Sequence, residues 1–505
     1  MANIQTRSSI LGVMVETTEG TPVLPATGTD IVVLQPDFTM QPAFDSIENE
    51  EIRASIGAAK SIQGLENPTA SGSQYLKGSG TEGAEPQLGR LFYGFFGAKS
   101  AATAEFDTIA GSTQYAFNVN TGEGASFERG QGVLLKDSLN GFRIRALASV
   151  SGDVLTPIFG VPVAPLSSVN LGKCVLYKPA NSDHPTLTLT HYLGNGGAKQ
   201  VMAGTRVMGF SADVNPENLV NVNFNFEGIS FYYDPIEITA STRYLDWIDD
   251  DGTWAAAIAT GWYKDPVAVA EALQAAMQAA NAGETPTVTY SDTTGKFTIK
   301  TTGTLLTLKW NTGANTANTI GTKIGFLVAA DDSGTGATTG YTSDNAQSFA
   351  FPFTPDYDDT DPSVAKYQEV MLGDADDYVC FQVSQMTISG TNTKANIGSV
   401  CAESGRSGSI ISGRDFEVTM THHIQKWEVD QWARFRKNQN TSFQYSWGPK
   451  TGGNWIPGKA GFMAAPKGTL TAFEIADQDG LAIVNLTFKP FVDSDGAGEF
   501  YVGQV

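Results

Sequence analysis

The sequence contains few of the residues from which catalytic and metal sites are built. Its 505 residues include only three cysteines, Cys174, Cys380 and Cys401, which stand too far apart for a Cys-x-x-Cys metal site and offer no disulfide framework. The G-x-S-x-G, H-E-x-x-H and P-loop motifs do not occur. We therefore predict no catalytic, cofactor-binding or metal-binding residue and no enzymatic activity. An enzyme would require residues that only the fold brings together.

Positive charge and long apolar runs are scarce as well. The chain has 32 Lys and Arg against 53 Asp and Glu, which gives a formal net charge of −21 at pH 7. Specific binding of nucleic acid is unfavoured, because it depends on a basic face that displaces counterions from phosphates. No apolar run approaches the roughly 18 residues of a membrane span. We expect synthesis in the cytoplasm and no contact with a membrane.

What the sequence does contain is a β pattern that occurs twice. Residues 219–226 read LVNVNFNF and residues 481–488, 262 positions later, read LAIVNLTF. In both segments apolar and polar residues alternate, which predicts a strand with one buried and one polar face. Each segment follows another strand and a turn, so each predicts an antiparallel hairpin. Four residues recur without gaps: Leu219, Val222, Asn223 and Phe226 correspond to Leu481, Val484, Asn485 and Phe488.

The similarity extends upstream of both segments. Residues 33–40 (VLQPDFTM) resemble residues 383–390 (VSQMTISG), and SIQG at 61–64 resembles SIISG at 409–413. In each half a long polar loop, 41–64 or 391–412, precedes a strand and then a helix at 85–96 or 428–438, with Trp432 and Phe435 on one face of the second helix. We interpret this order as a tandem duplication and not as two unrelated hairpins. The polar loops are either arms that contact neighbouring subunits or mobile surface loops.

A different pattern separates the two halves. At residues 240–343 Asp265 is a suitable N-cap, Pro266 a suitable first helical residue, and Val269, Leu273 and Met277 share one helix face, with Gly283 as the helix stop. Residues 288–299 predict a hairpin and LLTLKW at 305–310 a third strand. We therefore predict a mainly β protein with a first domain at 1–239, an inserted small α+β domain at 240–343, a linker at 344–377 and a second domain at 378–505.

Three patterns resemble binding sites without predicting one. GSGTEG at 78–83 matches the dinucleotide motif G-x-G-x-x-G, but the strand before it is polar and the corresponding junction in the second half has no glycine, so we interpret it as a flexible connection. His422 and His423 are adjacent and would point to opposite faces of a strand, and His184 and His191 lie far away, so a zinc site is disfavoured. The acidic clusters at 248–252, 356–361 and 374–377 lack the calcium-loop pattern and are interpreted as solvated loops.

Residues 13–42, 52–72 and 467–491 resemble the major tail proteins, the tail tube proteins of long-tailed non-contractile bacteriophages. The inserted segment is similar to small modules of phage tail and fibre proteins. The resemblance implies two tandem tail-tube-like β-sandwich or half-barrel domains, each with a flanking helix. It also implies a structural virion protein whose rings stack into the tail tube, through which DNA enters the host without specific binding.

The duplication implies a ring number that differs from that of the family. Family members build rings from six single-domain subunits, so two domains in one chain imply trimeric, pseudo-hexameric rings, with a hexamer as the alternative. The expected partners are further copies of the chain and the tape measure, terminator and distal tail proteins, and the expected location is the virion tail, assembled in the host cytoplasm. No cofactor is implied.

One alternative of another class is an adhesin of a phage or cell surface that displays a carbohydrate-binding module. Four tryptophans of the inserted segment, Trp247, Trp254, Trp262 and Trp310, could stack on sugars, although we expect most of them to belong to the core. Tube assembly supports the first hypothesis, and glycan binding supports the second.

Overall fold

The described residues form a mainly β protein, as the sequence predicts. The computed structural model describes residues 4, 6–51, 59–194, 196–333, 339–380, 382–424, 429–493 and 498–505. Strands account for 47% of the chain and helices for 9%, which confirms the predicted fold class. Two compact units are present: one comprises Met1–Asp30, Thr188–Gly204 and Ile229–Pro355, and the other comprises Ile31–Leu187, Thr205–Gly228 and Asp356–Val505. We call them the small and the large unit. The tandem-domain boundaries at 239, 343 and 377 stay a prediction.

The elements follow one another along the whole chain. Among the described residues the α-helices are α1 (Gly89–Phe96), α2 (Pro266–Ala280) and α3 (Val429–Arg436). The strands of the first half are β1 (Ile10–Val15), β2 (Ile31–Val32), β3 (Thr39–Gln41), β4 (Phe44–Ile47), β5 (Ile62–Glu66), β6 (Thr69–Tyr75), β7 (Gly97–Ala102), β8 (Phe106–Asp107), β9 (Phe117–Asn118), β10 (Gly132–Asp137), β11 (Gly141–Ser151), β12 (Val154–Pro157), β13 (Asn170–Leu171), β14 (Cys174–Pro179), β15 (Leu187–Leu193), β16 (Ala198–Val214), β17 (Asn221–Glu227) and β18 (Ser230–Tyr233). The remaining strands are β19 (Ile236–Ile238), β20 (Tyr244–Asp249), β21 (Gly252–Ala257), β22 (Gly261–Tyr263), β23 (Thr287–Ser291), β24 (Lys296–Lys300), β25 (Leu306–Leu308), β26 (Tyr341–Thr342), β27 (Glu369–Gly373), β28 (Tyr378–Cys380), β29 (Val383–Gly398), β30 (Arg406–His423), β31 (Thr441–Trp447), β32 (Lys450–Thr451), β33 (Asn454–Trp455), β34 (Gly461–Gln478), β35 (Leu481–Pro490) and β36 (Tyr501–Gln504).

A continuous antiparallel sheet of eight strands is the main feature of the large unit. The strand order is β3, β6, β17, β16, β29, β30, β35 and β34, and β16 contributes only its second half. Both predicted hairpins are confirmed as the pairs β16–β17 and β34–β35. Asp479 and Gly480 in the second turn both have positive φ, 55° and 82°, as a two-residue turn that matches the twist of its strands requires.

A second layer of strands and a separate small sheet complete the large unit. The first half of β34 pairs with β31 and β36, and the layer continues through β14 to β7 and through β27 to β28. Between β7 and β14 the chain forms a six-stranded sheet in the order β8, β13, β10, β11, β12 and β9. This sheet has its own apolar core, which includes Phe117, Leu147 and Leu171. The sequence does not predict this sheet as a separate body.

The small unit contains the elements of the predicted α+β module. The N-cap is confirmed, because the Asp265 carboxylate accepts a hydrogen bond from Ala268 N at 2.7 Å, and the helix buries Val269, Leu273 and Met277. The predicted hairpin is confirmed as β23–β24. The helix ends at Ala280, three residues before Gly283.

The strand predicted at 305–310 is confirmed as β25, which joins β20 and not the hairpin. Leu306–Leu308 pairs with β20, whereas β26 pairs with the hairpin strand β24. Burial explains this arrangement, because Leu308 lies opposite Trp247 and both side chains are fully buried in the module core with Trp310. The small unit also contains the pairs β1–β15 and, through the first half of β16, β16–β18.

Candidate assembly surface

The eight-stranded sheet consists of two sets of four strands in the same order. The first set is β3, β6, β17 and β16, and the second set is β29, β30, β35 and β34. In both sets the first two strands along the chain are neighbours, and the last strand along the chain lies third. The predicted counterparts 219–226 and 481–488 provide this third strand, and the two sets meet where β16 pairs with β29.

A β-bulge occurs at the same place in both sets. In the first set the ladder skips Met208, next to the pair of Val207 and Phe226. In the second set it skips Thr471, next to the pair of Leu470 and Phe488. A one-residue bulge bends its strand and increases the twist. The two fourth strands therefore bend at equivalent positions.

The recurring asparagine also has the same partner in both sets. The Asn223 side-chain oxygen accepts a hydrogen bond from the Ser73 hydroxyl on the second strand of the first set. The Asn485 oxygen accepts one from the Thr421 hydroxyl on the second strand of the second set, at 2.8 Å. Both asparagines lie on the polar face, whereas Val222 and Val484 beside them are fully buried. The recurrence in the sequence thus corresponds to a recurrence of environment.

Each set carries a helix on its apolar face. Phe92 and Phe95 of α1 contact Phe210 of β16, with ring centroids 6.0 and 4.9 Å away. On α3, Trp432 and Phe435 contact Phe473 of β34, with centroids 5.7 and 6.3 Å away. The prediction that Trp432 and Phe435 share a helix face is confirmed. The first turn of the predicted helix at 428–438 includes residue 428, which lies outside the described residues.

The opposite face of the sheet is polar and acidic. It carries mainly Thr, Ser and Asn, and its carboxylates are those of Asp213, Glu227, Asp415, Glu417 and Glu474. Two lysines reach these carboxylates: Lys394 pairs with Glu227 and Lys489 with Asp415, both at 2.9 Å. The described part of this face therefore has more acidic than basic side chains.

The two predicted polar loops form antiparallel arms. The loop predicted at 391–412 is wrong as a loop, because β29 and β30 remain paired as far as Gly398 and Arg406. In the loop predicted at 41–64, β4 pairs with β5, and residues 52–58 lie outside the described residues. Regular strand pairing satisfies the backbone donors and acceptors of these segments, although both of their faces are exposed to solvent. The arms expose Phe44, Ile47, Ile62, Ile397 and Ile410.

The glycine motif at 78–83 serves packing within the large unit. Gly80 N donates to Gly458 O at 3.0 Å, and a Cβ on Gly78 would lie 2.4 Å from the same oxygen. The Glu82 carboxylate accepts from Lys136 at 2.9 Å and from Lys173 N at 3.0 Å. The close approach of two backbone segments explains the glycines, and the loop is held by contacts to protein groups.

The histidines and acidic clusters are likewise engaged in structural contacts. His422 is buried and His423 exposed, on opposite faces of β30 as predicted. Burial, together with the charge of Arg414, lowers the pKa of His184 to about 4. The cluster at 374–377 binds Arg434 of α3 through Asp374 at 2.8 Å and Asp377 at 3.0 Å. Among the described residues no group of three or more His, Cys, Asp or Glu is arranged to hold a metal ion.

The tryptophans of the inserted module mostly belong to its core, as expected. Trp247 and Trp310 are 1% exposed, and Trp254 packs against the same cluster. The indole N–H groups of Trp247 and Trp254 both donate to Asp249, at 2.9 and 2.8 Å. Stacking on sugars by Trp247 or Trp310 would require the module to unfold.

Comparison with known proteins agrees with these features. The model of the family described as phage tail tube protein matches residues 6–242, and no curated protein matches the chain. No helix in the described part of the chain is long and apolar enough to cross a membrane. A tail tube protein is a structural component of the bacteriophage virion, located in its tail and assembled with itself and with other tail proteins. The chain is therefore similar to the phage tail tube proteins over residues 6–242, slightly less than half of its length.

Proposed function

We propose that the protein self-assembles into stacked rings that form the tail tube and conduct DNA into the host. One observation carries the proposal: the continuous antiparallel sheet has one polar face, and the strand at each end of the sheet has one edge without a partner strand in the described residues. At one end β3 pairs only with β6, and at the other residues 469–478 of β34 pair only with β35, within the described residues. Unpaired edges invite pairing with another chain, and ring closure satisfies all of them.

The strand count supports three chains in each ring. Three chains would contribute 24 strands, which at a spacing of about 4.8 Å and a tilt of about 40° give a barrel about 48 Å across between backbones. This diameter leaves a lumen that accommodates a DNA duplex after side chains are added. Six chains would double it to about 96 Å by the same relation. The trimer confines DNA more closely, and we propose it.

The acidity of the polar face supports passage of DNA without specific binding. If this face lines the lumen, its carboxylates repel the phosphates from all sides. The repulsion acts over a Debye length of about 8 Å at physiological salt, so only side chains near the lumen contribute. The tape measure, terminator and distal tail proteins are the proposed partners within the tail.

The two sets of strands support the tandem duplication. Matching strand order, bulges and asparagine contacts are expected if domains 1–239 and 378–505 descend from one tube domain. We further propose that the inserted module at 240–343 decorates the outside of the tube, because it has its own helix, sheets and core.

Electron microscopy of concentrated protein and of isolated tails tests this function. We expect hollow tubes, a barrel wall about 48 Å across between backbones and three chains in each ring. Native mass spectrometry of dissociated rings provides an independent count. Six chains would refute the trimer and leave the tube intact, whereas a protein that stays monomeric and occurs in only a few copies per virion would refute the tube.

A further inference from the structure

We infer that the junction between copies of this chain reproduces the junction between its own two sets, in one defined register. This inference rests on the proposed function, since it takes the partner to be a second copy in a ring. The fourth strand of one copy, β34, would pair antiparallel with the first strand of the next copy, β3. The pattern for this contact is the pairing of β16 with β29 inside the chain.

Equivalent residues are identified by their partners in the ladder. Val222 and Val484 are equivalent, and they pair with Ala212 and Ile475, so Ala212 of β16 corresponds to Ile475 of β34. The matching bulges at Met208 and Thr471 confirm this alignment, because they fall at the same distance from the two pairs.

The first strands are aligned in the same way. Ala70 of β6 and Val418 of β30 pair with the equivalent residues Phe226 and Phe488. Their other neighbours are Met40 and Ile388, so these two residues of β3 and β29 correspond.

The internal junction therefore specifies the pairs between copies. Inside the chain Ala212 lies opposite Ile388, with Asp213 opposite Thr387 on one side and Ser211 opposite Ser389 on the other. Transferred to the ends of the sheet, these pairs place Ile475 opposite Met40 of the next copy, Ala476 opposite Thr39 and Glu474 opposite Gln41.

Exposure of apolar side chains at the β34 end supports a missing partner. Ala212 is fully buried at the internal junction, whereas its counterpart Ile475 is 51% exposed. Phe95 of α1 is fully buried, whereas Phe435, which occupies the same place on α3, is only half-buried. In the first set, strands of the second set provide the cover: Phe95 contacts Phe416 at 5.9 Å between centroids. A second copy would supply the equivalent cover at the free end.

Disulfide trapping tests the register. The background carries Cys380→Ser and Cys401→Ser, which removes both exposed cysteines and leaves the buried Cys174. In this background Thr39→Cys with Ala476→Cys should give covalent multimers when assembled tubes are oxidised, because directly opposed strand residues have Cα atoms about 4.5 to 5.5 Å apart, which suits a disulfide. After denaturation, the ladder of products should end at the closed ring, at three chains for the proposed trimer.

Two cysteine pairs serve as controls. Asp213→Cys with Thr387→Cys marks the internal junction and should cross-link within one chain without multimers. Thr39→Cys with Glu474→Cys is two residues out of register on the same face and should cross-link at least tenfold more slowly. Faster linkage of this shifted pair in intact tubes would overturn the register while leaving the proposed function standing. Failure of the unsubstituted protein to form tubes would overturn both.

A substitution at the edge distinguishes pairing from chance proximity. Ile475→Lys should abolish tubes and leave a folded monomer, because half of the side chain is already exposed in the single chain. Leu139→Lys is the matched control, since Leu139 is 54% exposed and lies in the turn between β10 and β11, which belong to the six-stranded sheet and not to either edge strand. Normal tubes from Ile475→Lys, or loss of tubes from both variants, would overturn the proposed edge contact.

Discussion

The ion pairs of Glu369 connect the six-stranded sheet to the rest of the large unit, and a substitution of Glu369 tests how much they stabilise this connection. Its carboxylate is 2.7 Å from Arg143, 3.7 Å from Arg145 and 3.0 Å from Lys450. Arg143 and Arg145 lie on β11, whereas Glu369 begins β27. The substitution Glu369→Gln keeps the size of the side chain and removes a negative charge that these three cations share.

The size of the expected loss of stability follows from the burial of Glu369 and Arg145. The side chain of Arg145 is only 3% exposed and that of Glu369 12%. Removing one partner of a buried ion pair costs about 3 to 5 kcal/mol, because the other charge stays buried without compensation. Arg145 keeps hydrogen bonds to the carbonyls of Gly160 and Ile144, which places the expected loss at the lower end, about 3 kcal/mol. With an m-value of about 3 kcal/mol per M, the urea midpoint of this region should fall by about 1 M.

The effect should depend on pH in a defined direction. Burial alone would raise the pKa of Glu369, but the charges of Lys450 and Arg145 outweigh it, so the pKa is lowered from its ordinary value of 4.5. A carboxylate with a lowered folded pKa stabilises the protein fully above its unfolded pKa and loses this contribution as the pH falls through the folded value. The difference between the native protein and Glu369→Gln should therefore be constant above about pH 5 and shrink below pH 4.5.

Hydrogen exchange measured by mass spectrometry in increasing urea follows the peptides of β11 and β27 separately. The matched control is Asp415→Asn, which breaks an exposed ion pair with Lys489 and should cost less than about 1 kcal/mol. An equal loss in both variants would refute the reasoning, as would a Glu369→Gln difference that persists unchanged at pH 2.

Three further predictions concern the ion pairs of Arg434 on α3, the inserted module and the polar face of the sheet. Arg434→Lys should destabilise α3 by about 1 to 2 kcal/mol, because Lys cannot bind Asp374, Asp377 and Asp430 together. The fluorescence of Trp432 in increasing urea measures this loss of stability. An unchanged unfolding midpoint would show that the three ion pairs of Arg434 are dispensable. Replacing residues 240–343 by a short Gly/Ser bridge should leave tube formation intact in electron micrographs, and loss of folding of the large unit would contradict this. The native protein should not retain DNA at physiological salt. The double variant Asp213→Lys with Glu417→Lys should bind DNA with an affinity that falls steeply as the salt concentration rises. Strong DNA binding by the native protein would refute the proposed role of the acidic face.

The sequence predicts best where burial imposes a period. β17 and β35 each bury one face, so their alternation is visible, and the gapless match of Val222 with Val484 is real in the structure. The helix α2 was predicted from its cap and its apolar face for the same reason. Such segments are specified by their own residues.

Register across the repeat is harder to predict. The upstream match of 33–40 with 383–390 aligns Met40 with Gly390, whereas the ladders make Met40 equivalent to Ile388. A shift of two residues preserves the alternation of buried and exposed side chains, so the pattern cannot detect it. The match of 61–64 with 409–413 keeps the register.

Elements with solvent on both faces cannot be predicted from an apolar period. The arm formed by the ends of β29 and β30 exposes most of its side chains, so no apolar period marks it, and a long polar loop was predicted instead. The six-stranded sheet combines several two-residue strands, too short for a period. The contact between β16 and β29 joins residues 172 to 182 positions apart, which no local pattern encodes.

The covalent connection between the two sets has a kinetic consequence. Because β16 and β29 belong to one chain, their junction forms by folding at the effective concentration set by the intervening chain, independently of protein concentration. Only the junctions between chains depend on encounters in solution. In the proposed ring, half of the equivalent junctions would already be closed before the first encounter. Assembly should therefore respond less steeply to dilution than a ring of the same size built from single-set subunits.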